Sequence, residues 1–314
     1  MRLRGETVEE LADRLGMPIE GLKEKLEVMV GKGQIYAWNS DTGRRYALMV
    51  FMGGIWENQT ERMDREFAQL VEDYFRKGRG VGHFDTEPAV FRVIPVNKAV
   101  TAELEVYPFE VAESIIEGAK AWGLRECMCR KQKGVLEQRC GYPLSVCLLF
   151  SSRPEAYEED DLTQTISKEE SLQILRNAEE AGLIHCAMNV QQGQSYICNC
   201  CTCCCAMLGG MVNLGQPHAF VKSNFIAGVD PNACSGCGEC VDRCQFQALD
   251  LREDICRVES SRCVGCGVCS IACPENAISL QPREVTERTA PPESRVEWNR
   301  QKAASRGLDM SDLL

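Results

Sequence analysis

Two stretches of this chain repeat each other: CSGCGECVDRCQFQALDL from Cys234 and CVGCGVCSIACPENAISL from Cys263, both spaced C-x2-C-x2-C-x3-C and offset by 29 residues. That spacing constrains the local fold more than any hydrophobic pattern in the sequence. A tight loop with two residues between successive thiols turns three sulfurs toward one centre, as a compact metal cluster requires. Gly236 and Gly238, like Gly265 and Gly267, let the backbone approach that centre and offer N–H groups to it. One position departs from the repeat. Pro274 follows the fourth cysteine of the second run, where the first run has Gln245. Proline removes an N–H and stiffens the chain, so Gln245 is expected to alter the local turn while removing no ligand. Cys256 belongs to neither motif and reads as a spare buried cysteine.

The doubled motif at residues 230–281 closely resembles the bacterial two-cluster ferredoxins. The resemblance implies two [4Fe–4S] clusters with crossed ligands, because the fourth cysteine of each run cannot easily fold back onto its own cube. One cluster would take Cys234, Cys237, Cys240 and Cys273; the other would take Cys263, Cys266, Cys269 and Cys244. A zinc ribbon is the competing reading, and it leaves the second half-repeat unexplained.

The chain has 20 cysteines, none before Cys127 and none after Cys273. Disulfide frameworks belong to oxidising compartments and to small domains without a core. Here 44% of residues are hydrophobic, the N-terminus MRLRGETVEE has no apolar signal stretch, and thiols crowd at C-x-C and C-x2-C spacings. Metal ligation is the expectation. No apolar run approaches the ~20 residues of a membrane span, the segment 46–56 being short and broken by glycines. A cytoplasmic protein is expected. The net charge of −11 argues against a nucleic-acid partner, since phosphate neutralisation needs a basic patch.

Upstream, CMCRKQKGVLEQRCGYPLSVC supplies Cys127, Cys129, Cys140 and Cys147, four soft ligands suited to one tetrahedral metal or one cubane. Spacing alone does not separate zinc from iron–sulfur, but the neighbouring repeat favours a third cluster. Arg125, Arg130, Lys131 and Lys133 would offset its negative charge, or form an ordinary basic loop. A second run, HCAMNVQQGQSYICNCCTCCC, holds Cys186, Cys198, Cys200, Cys201, Cys203, Cys204 and Cys205. In extended backbone Cys198 and Cys200 face one way while Cys201 and Cys203 face the other. The strip therefore completes two sites at once or holds one unusual cluster. A metallothionein-like zinc or copper site competes with the latter. His185 and Asn189 are candidates for a ligand or a supporting donor, with a satisfied structural histidine as the plainer reading of His185. A Cys/His nucleophile fits seven thiols less well than metal does.

The fold class expected is α+β, in four parts. Residues 1–58 contain two apolar helical stripes, the first opened by the Thr7/Glu10 capping box, then two strands around Asp41-Thr42-Gly43. The pattern resembles a winged helix. Its second helix carries Glu20, Glu24 and Glu27 against Lys23 and Lys25, and only Arg44 and Arg45 suit phosphate, so protein docking or a structural role is favoured over DNA. Residues 59–228 form a mixed α/β cysteine-rich middle, 229–282 the ferredoxin-like part, and 283–314 a charged tail read as a mobile extension or docking peptide. In the middle, the apolar face Phe67, Leu70, Val71, Tyr74 and Phe75 marks a helix, and residues 108–123 read as a helix stopped by Gly123.

The order CxCR, then a helix ending GLIH, then ICNCCTCCC, then the doubled motif resembles multi-cluster ferredoxin-like proteins of anaerobic bacteria. That implies single-electron transfer through two ferredoxin clusters and one or two upstream clusters to a redox partner protein. Two alternatives stay open: an oxidoreductase reducing a small substrate at Cys186–Cys205, and a redox-sensing regulator using the winged helix. Neither G-x-G-x-x-G nor a P-loop is present, so no nucleotide site is expected.

Overall fold

The computed structural model describes residues 1–77, 84–99, 107–158, 160–216 and 219–310. Gly78, Gly80, Gly82 and His83, whose sequence reads as a helix-breaking loop with a solvated histidine, lie outside them. The chain divides into two compact units: residues 1–64 with 303–314, and residues 65–302.

The smaller unit contains β1 (Glu6–Thr7), α1 (Val8–Leu15), α2 (Ile19–Gly31), β2 (Ile35–Ser40) and β3 (Gly43–Leu48). Its strands form an antiparallel sheet in the order β1-β3-β2. Thr7 Oγ1 accepts from the Glu10 N–H, and the Glu10 carboxylate accepts from the Thr7 N–H at 2.9 Å, so the capping box forms. Val8, Leu11 and Ala12 pack against Leu22, Leu26, Ile35 and Tyr46. Leu15 and Ile19, apolar residues at the end of α1 and the start of α2, are exposed. Gly21 takes φ +80° beside a non-helical Glu20, so the regular turns of α2 begin only at Leu22.

The larger unit opens with α3 (Arg65–Arg76), which buries Ala68, Val71 and Phe75 and leaves Leu70 and Tyr74 exposed. There follow β4 (Phe91–Ile94), α4 (Ala112–Glu117), β5 (Ala121–Glu126), α5 (Met128–Val135), β6 (Ser145–Ser151), β7 (Gln164–Ile166), α6 (Lys168–Ala181), β8 (Ile184–Met188), β9 (Tyr196–Cys200), α7 (Ala206–Asn213) and β10 (Phe220–Val221). The expected helix over 108–123 is thus corrected: Gly118 caps a short α4, and Gly123 lies inside β5, paired with Leu149 and Thr165. Sheet pairing on both sides of β5 overrides the helical pattern.

These strands form one seven-stranded sheet in the order β10-β4-β8-β9-β6-β5-β7, antiparallel except for β10 on β4. Side chains alternate between faces along a strand, and here the alternation sorts chemistry. Ile94, Leu148, Phe150, Ala187 and Ile197 pack with Ile115, Ile116 and Leu175 of α4 and α6. Cys147, Cys186, Cys198 and Cys200 occupy the intervening positions and meet on the other face. The Ser167/Glu170 capping box opens α6, and Gly182 at φ +91° closes it.

The unit continues with β11 (Phe225–Val229), α8 (Glu239–Arg243), β12 (Leu249–Arg252), β13 (Ile255–Val258), α9 (Val268–Ala272) and β14 (Ile278–Pro282). β11 pairs with β14 and β12 with β13, both antiparallel. The residues after Pro282 are not a loose extension. Arg283 is buried, with Nη2 donating to the Cys263 carbonyl. Gln191 Nε2 donates to the Pro291 carbonyl, and the buried Trp298 of α10 (Arg295–Ser305) donates to the Ala89 carbonyl at 3.0 Å. The expectation of a mobile tail fails because Trp298 supplies an apolar anchor within an otherwise charged stretch.

Candidate metal centres

The repeat in sequence is a repeat in space. Gly238 and Gly267, at φ +84° and +77°, initiate the short helices α8 and α9. Ala248 N–H donates to Cys244 Sγ at 3.3 Å, and its counterpart Ala277 N–H donates to Cys273 Sγ at 3.2 Å. Gly265 is required for close approach: at φ +71° any Cβ would collide with the Phe225 carbonyl and the Ser223 hydroxyl.

Cys244, Cys263, Cys266 and Cys269 line one cavity. Cys234, Cys237, Cys240 and Cys273 line another, together with Cys256. The thiols, the N–H donors and the glycine cradle fit a pair of [4Fe–4S] groups. Cys256 is more than a spare: its N–H donates to Cys234 Sγ at 3.4 Å, and its thiol lies 3.5 Å from Cys240 Sγ. Nothing in the motif spacing marks it, since β13 brings it in through the hairpin.

The upstream thiols do not group by sequence segment. Cys127 interacts with the thiols of Cys129 and Cys147, which set its ionisation. Cys147 is linked in the same way to Cys198, Cys198 to Cys200, Cys200 to Cys205 and Cys205 to Cys129. These interactions close a ring of six sulfurs, with Cys186 attached at Cys200. Cys140 has a tighter set of its own. With Cys201, Cys203 and Cys204 it forms a group whose sulfurs all lie within 4.8 Å of one another. Cys127, Cys129 and Cys147, the three thiols with which its spacing grouped it, pack around the same apolar cluster. The run from Cys198 to Cys205 serves both sets: Cys198, Cys200 and Cys205 enter the ring, while Cys201, Cys203 and Cys204 join Cys140.

Arg130 of α5 lies between them with no exposed surface. Its Nη1 is 3.5 Å from Cys201 Sγ, and its Nη2 donates to the Asn199 carbonyl at 3.0 Å. Cys201 is drawn down to about 5, first by its hydrogen bond with Cys204 and then by this guanidinium. Cys127 is held well below the ordinary thiol value by Cys129 and Cys147, with Arg130 adding to the effect. Burial and Cys201 push Cys203 up to about 12. Three other basic residues of the segment are paired with carboxylates: Arg125 with Asp160, Lys131 with Glu126 and Lys133 with Glu72.

His185 points away from the thiol face, as the alternation of β8 requires. Its Nδ1 lies 2.6 Å from Asn199 Oδ1 and its Nε2 3.1 Å from Glu179 Oε1. Asn199 Nδ2 donates to the Val146 carbonyl, which fixes the amide orientation. Asn189 Nδ2 donates to the Ala89 carbonyl. Both side chains are held in structural hydrogen bonds.

Among the described residues, no helix is long and apolar enough to cross a membrane. The family model described as a 4Fe-4S binding domain matches residues 227–250 and 257–279. A search of curated proteins finds no match. Residues 227–279 are therefore a ferredoxin-like module of two repeats, and with the many further cysteines they point to an iron–sulfur electron-transfer role.

Proposed function

We propose that this chain relays single electrons between a redox partner protein and an upstream iron–sulfur site, through the two crossed quartets of its ferredoxin module. A [4Fe–4S] group supplies reversible one-electron chemistry at a potential set by burial and by hydrogen bonds to its sulfurs. The observation that carries the proposal is the seating of the inner quartet. Val96 N–H donates to the Cys266 carbonyl at 2.9 Å, and the Cys186 thiol is pushed up by burial first and then by the thiols of Cys205 and Cys266. The outer quartet includes the exposed Cys237, which suits exchange with a partner. The ring offers more thiols than the four a cubane takes, so it suits a cluster of its own.

Cys127, Cys186, Cys200 and Cys205 are buried, which favours electron carriage over turnover of a small substrate at the ring. The basic residues of the N-terminal hairpin are engaged: Arg44 pairs with Glu27, and Arg45 bonds the Gly5 carbonyl and Glu10. That favours a winged-helix-like docking or structural role over phosphate binding. Anaerobic iron and sulfide counting with potentiometric EPR tests the proposal. More than eight irons per chain, with an upstream signal that exchanges electrons with the module, is expected. Eight irons and no upstream signal would reduce the protein to a simple ferredoxin.

A further inference from the structure

The two upstream thiol sets differ in size, and size discriminates what they hold. Around one tetrahedral ion with metal–sulfur bonds of about 2.3 Å, the sulfurs lie about 3.8 Å apart. Around a cubane each thiolate extends outward from a different iron. Its sulfur–sulfur separation is therefore larger by a whole iron–iron edge. In the set of four, Cys140 Sγ lies 3.5 Å from Cys204 Sγ and 3.9 Å from Cys201 Sγ, and all four sulfurs fall within 4.8 Å. The ferredoxin quartets provide an internal standard. Among the described residues no other group of three or more His, Cys, Asp or Glu donors is this tight, those quartets included.

We infer that Cys140, Cys201, Cys203 and Cys204 bind a single divalent ion of the tetrathiolate class, zinc or ferrous iron, rather than a cubane. A second observation shows that the set is built to hold a metal, and the spacing alone decides which kind. Four thiolates around a divalent ion leave a net charge of −2, and the fully buried Arg130 directs Nη1 at Cys201 while its Nε has no hydrogen-bond partner in the protein. The site joins two distant segments, tying the loop between α5 and β6 to the turn that follows β9. It also adjoins the ferredoxin module. Gln245 Oε1 accepts from the Thr202 N–H at 2.8 Å, between the ligands Cys201 and Cys203, and Gln245 Nε2 donates to the Gly182 carbonyl. The residue that breaks the proline pattern of the repeat thus braces the ligand loop.

The test compares the full chain, purified anaerobically, with a Cys140→Ser/Cys203→Ser variant by zinc, iron and acid-labile sulfide analysis. Loss of about one zinc or one iron per chain with sulfide unchanged is expected. Loss of several irons together with matching sulfide would overturn the inference in favour of a cubane, and loss of no metal would overturn it outright. Wild-type protein gives an independent reading if the variant fails to fold. A zinc ion should show four sulfurs at about 2.3 Å by X-ray absorption and no neighbouring metal. A ferrous ion should appear as one isolated high-spin iron by Mössbauer spectroscopy, and absence of both signatures refutes the site. Wild-type protein lacking labile sulfide would instead refute the electron relay, and leave the single-ion count readable.

Discussion

Arg130 shows how much one side chain carries here. A buried guanidinium beside thiolates stabilises their charge in a medium that screens little. Removing it should favour the oxidised, less negative state of whatever the adjoining sulfurs hold. Arg130→Gln is expected to move the upstream EPR signal to lower potential, with each tenfold change in a one-electron equilibrium equal to about 59 mV, while the ferredoxin signals stay in place. An upstream potential that does not move would make the guanidinium a packing element only. At the other end of the chain, the Tyr46 hydroxyl and then Arg44 hold the Glu27 carboxyl below its ordinary 4.5. The folded value lies under the unfolded one. Its stabilisation is therefore complete above pH 4.5 and is lost as pH falls through the lowered folded value. Tyr46→Phe should flatten the acid limb of the stability curve by less than about 1 kcal/mol, given the exposure of the pair. Thermal melts between pH 3 and 7 would show it, and an unchanged acid limb would contradict it.

Elements were legible where their signals are local. The capping box at Thr7 marks the start of α1 in the sequence, and S-x-x-E at Ser167 marks that of α6 in the same way; Gly16 and Gly182, both at positive φ, close the two helices. Ser167→Ala should cost about 1 kcal/mol in denaturant unfolding, with a loss under a few tenths showing that α6 is held by packing alone. The doubled motif was equally legible, because its loops, glycines and helices lie within a single stretch. Gly265→Ala should remove the inner cluster, read as loss of about four irons per chain; full iron content would show that the loop can yield. Long-range features were not legible. A helix was expected through Gly123 because nothing nearby announces that β6 and β7 flank that segment. The grouping of the upstream thiols escaped for the same reason. Cys186 pairs with Cys198, and Cys147 meets Cys198, through a register that only the assembled sheet defines. The ten residues between Cys129 and Cys140 say nothing about which partners each will find.

In the larger unit, the sheet works as a sorting plane, with α4 and α6 on one side and the strand thiols Cys147, Cys186, Cys198 and Cys200 on the other. The ferredoxin module is seated on it by backbone bonds at Val96 and Ser223 and by the side chains of Gln245 and Arg283. Gln245→Ala should keep the full iron content yet slow exchange between the ferredoxin and upstream centres by about tenfold, if the three lost hydrogen bonds are together worth roughly 1.4 kcal/mol. Rapid-freeze EPR after partial reduction would measure it, and an unchanged rate would assign the seating to the remaining contacts. The ring imposes a timetable as well. Its sulfurs come from strands separated by α6 and β8, so Cys127 has no complete set of neighbours until Cys205 has been made. At 5–20 residues per second, that interval of about 80 residues lasts roughly 4–16 s. During it the nascent chain carries bare thiols, open to oxygen and to adventitious copper. A metal taken up by the ring would therefore have to be delivered after translation rather than during it, to a polypeptide kept reduced until then.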